Sequence, residues 1–183
     1  MSKRDEIVKK LQNLGIEVDV YGACGNLSCP MDSEVCDQML DTTYKFYFAF
    51  ENNLCNDYLT EKLYRTISYF ALPVILSGAN YTNFLPPNSY IDANSFNTTE
   101  ELASHLKFLA DNPSEIVKHF YWKKYYKITV DDRDVTLNHA CNICKKMNDP
   151  NLVAQQMVYE NPVQWASFDH AGESSCRAPN III

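Results

Sequence analysis

The sequence predicts an α/β layer built on a parallel β-sheet, because segments with strand character alternate with segments with helical character. Residues 44–52 and 72–78 are short apolar runs of the kind that form strands buried on both faces of a sheet. Helical apolar spacing follows these strands, at residues 60–70 and 98–110. The 183 residues are enough for one domain with a substantial core.

The chain begins with a predicted helix at residues 2–15, in which Ser2 can cap the first turn and Gly15 can end the last one. Its apolar residues share one face: Ile7, Val8, Leu11 and Leu14. Residues 16–22 alternate apolar and polar side chains, so they predict a strand that ends at a glycine. A cysteine-bearing loop at residues 23–36 follows.

The middle of the chain carries the two most apolar predicted strands, residues 44–52 and 72–78. The helix predicted between them, residues 60–70, has Thr60 as its cap and three apolar residues facing inward: Leu63, Ile67 and Phe70. A Pro-rich loop at residues 80–92 then leads into a short strand.

Two more helices are predicted after this loop. The first, residues 98–110, opens with a capping box formed by Thr98 and Glu101, and its leucines form one stripe: Leu102, Leu106 and Leu109. The second begins with Asn112 at the cap and Pro113 at the first helical position, and it extends to residue 126.

We divide the chain into three parts. Residues 1–128 form the α/β domain, residues 129–149 carry a Cys-x-x-Cys motif, and residues 150–183 form an irregular tail rich in Asn, Pro and Ser that we expect to be loosely attached. The net charge of −7 argues against a protein that coats nucleic acid or contacts an anionic membrane directly, although a local basic pocket for a phosphate fits this charge. No apolar run approaches the ~18 residues of a membrane span, and the polar N-terminus is unlike a secretory signal.

Seven cysteines are more than a cytosolic chain of this size normally carries, so they predict an oxidising compartment and disulfide bonds. The odd count leaves at least one without a partner inside the chain. The candidates are Cys24, Cys29, Cys36, Cys55, Cys141, Cys144 and Cys176. Three sequons are candidate N-glycosylation sites, although an Asn-rich chain also contains such triplets by chance: Asn26, Asn80 and Asn97. Because a secretory protein needs a way into the pathway, we expect this chain to be a piece of a longer protein.

Polar chemistry is concentrated between the second predicted strand and the helix that follows it. Lys62 would lie in the first helical turn, where its charge and the unpaired N–H groups both suit a phosphate. Glu61 can accept hydrogen bonds from two ribose hydroxyls, Tyr58 can donate to a phosphate or sugar oxygen, and Asn52 can do both at a sugar. These residues predict a nucleotide-sugar site. The alternative is a polar turn with an exposed Glu–Lys pair, which is common in proteins.

Two further candidates are weaker on chemistry alone. Arg4 could clamp a pyrophosphate with two parallel hydrogen bonds, or it could lie in a solvated helix start. His139 with Cys141 and Cys144 could begin a zinc site, but a second pair of ligands at suitable spacing is missing from the sequence, so disulfide use is favoured.

Four motifs in chain order resemble the alpha-1,3-fucosyltransferases of glycosyltransferase family 10. Residues 44–65, YKFYFAFENNLCNDYLTEKLYR, resemble the family signature FxxxFENS-x-C-x-DY-x-TEK, with Asn53 where the signature has serine. The other matching stretches are residues 2–25, 72–96 and 101–126. The resemblance extends from residue 2 to about residue 147, and the cysteine loop and the sequence HACNIC are most similar to the enzymes that fucosylate the N-glycan core.

The resemblance implies a GT-B enzyme with two Rossmann-like domains, of which this chain would be the C-terminal half: a Rossmann-like parallel sheet with flanking helices. It implies transfer of L-fucose from GDP-fucose, in alpha-1,3 linkage and with inversion, to N-acetylglucosamine of a glycoprotein N-glycan. No cofactor and no essential metal are implied. By position, Arg4 and Lys62 would hold the diphosphate and Glu61 the ribose hydroxyls. Tyr58 would contact phosphate or fucose, and Asn52 would face the sugar ring.

In the family, the acceptor domain with its general-base glutamate, and the membrane anchor, precede the region that resembles this chain. We therefore expect this chain to hold the donor half of an active site in the Golgi lumen, without a catalytic residue of its own. Its expected partners are GDP-fucose, a glycan acceptor and the N-terminal domain of the same enzyme. The family also implies that Cys141 and Cys144 bridge to cysteines of that other half. Two alternatives stay open: a GDP-binding module without catalysis, and a disulfide-rich secretory interaction domain.

Overall fold

A computed structural model describes residues 2–30, 33–128, 132–153 and 176–183. The helices are α1 (Arg4–Asn13), α2 (Glu34–Thr42), α3 (Glu61–Thr66), α4 (Thr99–Asp111), α5 (Pro113–Lys118), α6 (Asp132–Met147) and α7 (Pro150–Val153). The strands are β1 (Phe46–Phe50), β2 (Leu54–Cys55), β3 (Leu72–Leu76), β4 (Ile91–Asp92) and β5 (Cys176–Arg177). Short 3-10 turns lie at Tyr81–Asn83, Ala93–Ser95 and Tyr121–Lys124.

A parallel sheet of three strands, in the order β1-β3-β4, forms the centre of the fold. β1 and β3 pair from Phe46 opposite Leu72 to Phe50 opposite Leu76, and β4 joins the far side of β3. Parallel neighbours need crossover connections, and α3 lies in the first of them. The predicted α/β layer with a parallel sheet and flanking helices is confirmed.

The side chains of β3 divide between two apolar clusters, one on each face of the sheet. Leu72, Val74 and Leu76 face α1 and α4, whereas Ile75 faces α3. This alternation follows from the two-residue repeat of a strand. All five residues of β3 are buried, as the sequence predicted for a strand covered on both faces.

The first helix is confirmed, but its predicted cap is wrong. Ser2 is buried, and its N–H donates to the carbonyl of Asn52 at 3.0 Å; Lys3, with φ 55°, occupies the cap position. At the other end Gly15 has φ 80°, and the N–H of Ile16 donates to the carbonyl of Leu11 at 3.0 Å. Gly15 therefore ends the helix as predicted, in a left-handed turn that glycine adopts without steric cost.

The strand predicted at residues 16–22 is wrong, because within the described part of the chain this stretch joins no sheet and makes an isolated bridge between Tyr21 and Leu27. The predicted helix at residues 60–70 is shorter, since α3 ends at Thr66. Leu63 and Ile67 are buried as predicted, but Phe70 is 58% exposed and lies under the ammonium group of Lys123, with Nζ 4.5 Å from the ring centroid.

The later helices begin where predicted, but the second is much shorter than predicted: α5 ends at Lys118 and a separate 3-10 turn follows at Tyr121–Lys124, so the helix does not extend to residue 126. Thr98 accepts from the N–H of Glu101 at 3.2 Å, but the Glu101 carboxylate accepts from the N–H of Asn97 at 2.9 Å, one residue before the capping residue. Pro113 is the first residue of α5, whereas the Asn112 side chain makes no cap hydrogen bond and donates to the carbonyl of Phe108 instead. The leucine stripe of α4 is buried.

Two disulfides lie within the described residues, Cys29–Cys36 and Cys55–Cys176. Cys24, Cys141 and Cys144 are free and exposed, so the two cysteines of the Cys-x-x-Cys motif are not bonded to each other. The C-terminal end is firmly attached, since Ile181 is 3% exposed within the core, so the expectation of a loose tail is wrong for residues 176–183. The start of that tail is not irregular as predicted, since Pro150–Val153 form α7, and residues 154–175 lie outside the described residues.

Candidate functional site

The first turn of α1 lies against the carboxyl end of β1. Ser2 donates its N–H to the carbonyl of Asn52 at 3.0 Å, and Arg4 donates from Nη1 to the carbonyl of Phe50 at 3.3 Å. Two segments that are far apart in the sequence thus meet at one edge of the sheet. In α/β sheets this edge is where ligands bind.

The buried carboxylate of Glu51 organises this edge. Glu51 is only 1% exposed, and its Oε1 accepts from both the N–H (2.8 Å) and the hydroxyl (2.7 Å) of Thr60. Its Oε2 accepts from the ammonium group of Lys62 at 3.1 Å. A buried carboxylate without such partners would be costly, so these contacts keep the start of α3 next to the end of β1.

Lys62 connects the buried carboxylate to the surface. Its Nζ also donates to Thr60 Oγ1 at 2.8 Å and lies 3.7 Å from a carboxylate oxygen of Glu61. The side chain of Lys62 is 25% exposed and that of Glu61 is 80% exposed. An ammonium group has three N–H donors, and two are directed at Glu51 and Thr60. Among the described residues no hydrogen bond occupies the third donor, which can therefore serve a ligand at the sheet edge.

Tyr58 is held through its backbone by the carboxyl end of β3. The buried hydroxyl of Ser77 donates to the carbonyl of Tyr58 at 2.7 Å. The carbonyl of Ser77 accepts from the hydroxyl of Tyr81 at 3.0 Å and from Nδ2 of Asn94 at 2.9 Å. The exposed phenol side chain of Tyr58 thus projects from a fixed backbone.

Asp92, at the carboxyl end of β4, adds an acidic group to the same edge of the sheet. Burial raises the pKa of its carboxyl above the ordinary value, although the N–H of Asn94, at 2.9 Å, and the charge of Arg177 both oppose that shift. Burial also raises the pKa of the Tyr81 phenol, and Asp92 adds to that effect.

The predicted site residues therefore lie on three stretches near the carboxyl edge, namely the start of α1, the loop after β1 and the start of α3: Arg4, Asn52, Tyr58, Glu61 and Lys62. Glu51 is the residue whose importance the sequence reasoning missed. The available signal was a charged residue directly after a strand buried on both faces, where an acid needs partners.

The other candidates lie elsewhere. A cleft of about 660 Å³ opens beside α3, lined mainly by aromatic and apolar residues such as Tyr64, Phe84 and Trp122, and the predicted donor residues do not line it. The sequon residues Asn26, Asn80 and Asn97 are exposed, and glycosylation of them stays a prediction. Within the described ranges no group of three or more His, Cys, Asp or Glu residues could hold a metal ion. No helix among the described residues could cross a membrane.

Comparison with known proteins gives consistent matches. The model of a protein family described as glycosyltransferase family 10 (fucosyltransferase) C-term matches residues 1–165. Alpha-(1,3)-fucosyltransferase C of Drosophila melanogaster is 39% identical over 165 residues, which cover 90% of this chain and 37% of that protein. Alpha-(1,3)-fucosyltransferase fut-1 of Caenorhabditis elegans is 39% identical over 132 residues, covering 72% of this chain and 30% of that protein.

A third relative, glycoprotein 3-alpha-L-fucosyltransferase A of Drosophila melanogaster, is 32% identical over 154 residues, covering 82% of this chain and 29% of that protein. The chain thus spans about a third of the length of these curated relatives, with matched shares of 37%, 30% and 29%.

Proposed function

The chain belongs to glycosyltransferase family 10, the fucosyltransferases, and from that membership we propose that it is the donor-binding part of an enzyme that uses GDP-fucose. The enzyme would transfer L-fucose in alpha-1,3 linkage to N-acetylglucosamine of a glycoprotein N-glycan, with the N-glycan core as the preferred acceptor.

The observation that carries this proposal is the meeting of two cations from distant segments at one sheet edge. Arg4 reaches the carbonyl of Phe50, and Lys62 reaches the carboxylate of the next residue, Glu51. Both cations thus lie beside consecutive residues at the end of β1, within reach of an anion that sits over that edge.

The proposed chemistry is a single displacement with inversion at the fucose carbon. GDP leaves with more negative charge on its diphosphate than it carries in bound GDP-fucose. Fixed cations therefore stabilise the transition state more than the ground state, which is the condition for accelerating the step. Arg4 and Lys62 would supply that charge, and the reaction would need neither a cofactor nor an essential metal.

The remaining site residues would orient the donor. Exposed Glu61 would accept hydrogen bonds from the ribose hydroxyls, Tyr58 would contact phosphate or fucose, and Asn52 would face the sugar ring. Glu51 would not touch the donor, because it is buried under Thr60 and Lys62. It would keep Lys62 in place and partly balance its charge until the diphosphate arrives.

The wider setting follows the family. We place the enzyme in the Golgi lumen, where the exposed sequons and the disulfides fit an oxidising compartment. The glycan acceptor and the general base would meet the donor from another part of the enzyme.

Calorimetric titration of the chain with GDP-fucose, GDP and UDP tests the proposal. The guanine nucleotides should bind and UDP should bind more weakly. Nucleotide binding without fucose transfer to a core N-glycan by the whole enzyme would favour a GDP-binding module without catalysis. Absence of binding by the folded chain would contradict the proposal and favour an interaction domain.

At the level of single residues, Lys62→Ala should weaken GDP binding by roughly tenfold or more, the value of a charge-assisted hydrogen bond. Glu61→Ala should also weaken it. Lys124→Ala is the matched control, since its ammonium group lies over the ring of Tyr121, 5.0 Å from the ring centroid, and Lys124 is not among the predicted site residues. Equal affinities of the three variants would contradict the site assignment.

A further inference from the structure

The last eight residues of the chain reach the candidate donor site although they lie outside the region that matches the family model, residues 1–165. We call residues 176–183 the C-terminal strap. Cys176 forms a disulfide with Cys55, in the middle of the signature motif. Around this bond β5 pairs antiparallel with β2, with Arg177 opposite Leu54 and Cys176 opposite Cys55.

The other end of the strap is anchored in the body of the domain. Ile181 is 3% exposed and belongs to the apolar cluster that contains α1 and α4. The carbonyl of Ile182 accepts from the N–H of Thr99 at 2.9 Å and from its hydroxyl at 3.0 Å. The N–H of Ile182 donates to the carbonyl of Asn97 at 2.8 Å. The strap is thus fixed at one end by a covalent bond and at the other by packing and hydrogen bonds.

On the side away from the strap, β2 (Leu54–Cys55) packs closely against Gly78, which follows the end of β3. A Cβ atom at Gly78 would lie 2.5 Å from the carbonyl oxygen of Cys55 and 2.5 Å from the carbonyl carbon of Leu54. Only glycine permits so close an approach of two backbones. β2 is therefore held between Gly78 and the strap.

This clamped segment leads directly into the donor-site residues. The N–H of Tyr58 donates to the carbonyl of Cys55 at 3.3 Å, and the carbonyl of Tyr58 accepts from Ser77. Glu61 and Lys62 follow within the next turn. The position of Cys55 thus determines the positions of Tyr58 and Lys62, which follow it in the chain.

We propose that the C-terminal strap is a positioning element for donor binding: the Cys55–Cys176 bond and the β2–β5 ladder hold the loop from Asn52 to Tyr58 in its binding geometry. This inference rests on the proposed function. A loop that is ordered before the nucleotide arrives loses less conformational entropy on binding, so the strap raises affinity without touching the ligand.

The first experiment needs no ligand. Hydrogen exchange is measured for the amides of residues 54–62 in a Cys55→Ser/Cys176→Ser pair and in a Cys29→Ser/Cys36→Ser pair, which removes the other disulfide. The first pair should exchange roughly tenfold faster or more in this segment, because the loop opens locally. The second pair should exchange there as the parent does. Equal protection in both pairs would overturn the proposal.

The second experiment is calorimetric titration with GDP on the same proteins. The Cys55→Ser/Cys176→Ser pair should bind GDP roughly five- to twentyfold more weakly, in the range that loop ordering commonly contributes, and the control pair should match the parent. If the serine pair does not fold, Cys55→Val/Cys176→Val keeps an apolar cross-strand contact without the bond and gives the same comparison.

A parent that does not bind GDP would contradict the proposed function alone, since the exchange result stands without it. GDP binding that is unchanged in the serine or valine pair would overturn the strap's role.

Discussion

Glu51 is a carboxylate almost completely removed from water. It is stable there because three donors converge on it, namely the N–H and hydroxyl of Thr60 and the ammonium group of Lys62. The same contacts determine where Lys62 and the first turn of α3 lie. The geometry of an exposed cation at the sheet edge thus depends on an acid that is 1% exposed.

Glu51→Ala should lower the free energy of unfolding by about 2–4 kcal/mol, because it leaves two donors of Thr60 and one charge of Lys62 without their buried partner. Urea denaturation measures this. Glu61→Ala is the matched control, since the Glu61 side chain is 80% exposed and should leave stability near that of the parent. A Glu51 variant as stable as the Glu61 variant would show that the buried contacts are energetically neutral.

His105 gives the domain a pH dependence that can be checked separately. Its ring packs against Phe96 with centroids 5.3 Å apart, and burial, followed by the charge of His119, lowers the pKa of its imidazole. The folded state then binds fewer protons than the unfolded state, so stability falls as the pH drops below about 6.5, the ordinary histidine value. His105→Gln should reduce the difference between urea unfolding at pH 7.5 and at pH 5.5. An unchanged difference would contradict the burial of this ring.

Among the secondary-structure elements, those with a strong apolar periodicity in the sequence were predicted well. β3 is buried on both faces, α4 is buried along one face and β1 is buried at Ala49 and Phe50 and partly buried before them, and such burial leaves a clear apolar pattern in the sequence. Residues 16–22 alternate equally well but join neither sheet that the described residues form, because strand formation also needs a neighbouring edge that a sequence pattern cannot reveal. Phe70 follows the helical spacing but lies past the end of α3, where the spacing no longer fixes its direction.

The packing of β2 against the end of β3 can be tested at Gly78. Gly78→Ala should push the backbone of Leu54 and Cys55 away, with a cost of about 1–3 kcal/mol in stability and weaker GDP binding. Gly22→Ala is a useful comparison, because its φ of 86° disfavours alanine while a Cβ there meets nothing within 4 Å. It should lower stability and leave GDP binding unchanged. If the two variants bind GDP with equal affinity, the contact between β2 and the end of β3 does not influence the donor site.

At the scale of the whole molecule, the family resemblance led to the expectation that Arg4 and Lys62 hold one diphosphate, whereas the residue pattern alone left the role of Arg4 open. The hydrogen bond between Arg4 and the carbonyl of Phe50 brings Arg4 to the end of β1, next to the residue whose carboxylate binds Lys62. The Cys55–Cys176 pairing joins residues 121 apart, and spacing alone does not specify which of seven cysteines combine. The strap was missed for the same reason, since its short, irregular sequence carries no periodicity, and its attachment comes entirely from tertiary contacts.

Two adjacent isoleucines test whether the C-terminal strap is part of the cooperative domain. Ile181 is 3% exposed and packs in the core, whereas Ile182 is 65% exposed and contributes its backbone to Thr99 and Asn97. Ile181→Ala should lower the free energy of unfolding by about 2–4 kcal/mol, the usual cost of truncating a buried aliphatic residue. Ile182→Ala should stay within about 0.5 kcal/mol of the parent, because its backbone hydrogen bonds survive the change. The two variants are compared by urea denaturation with the Cys55–Cys176 bond intact. If both match the parent, the strap is an appendage held by its disulfide alone; a loss confined to Ile181 makes it a structural part of the domain that contains the donor site.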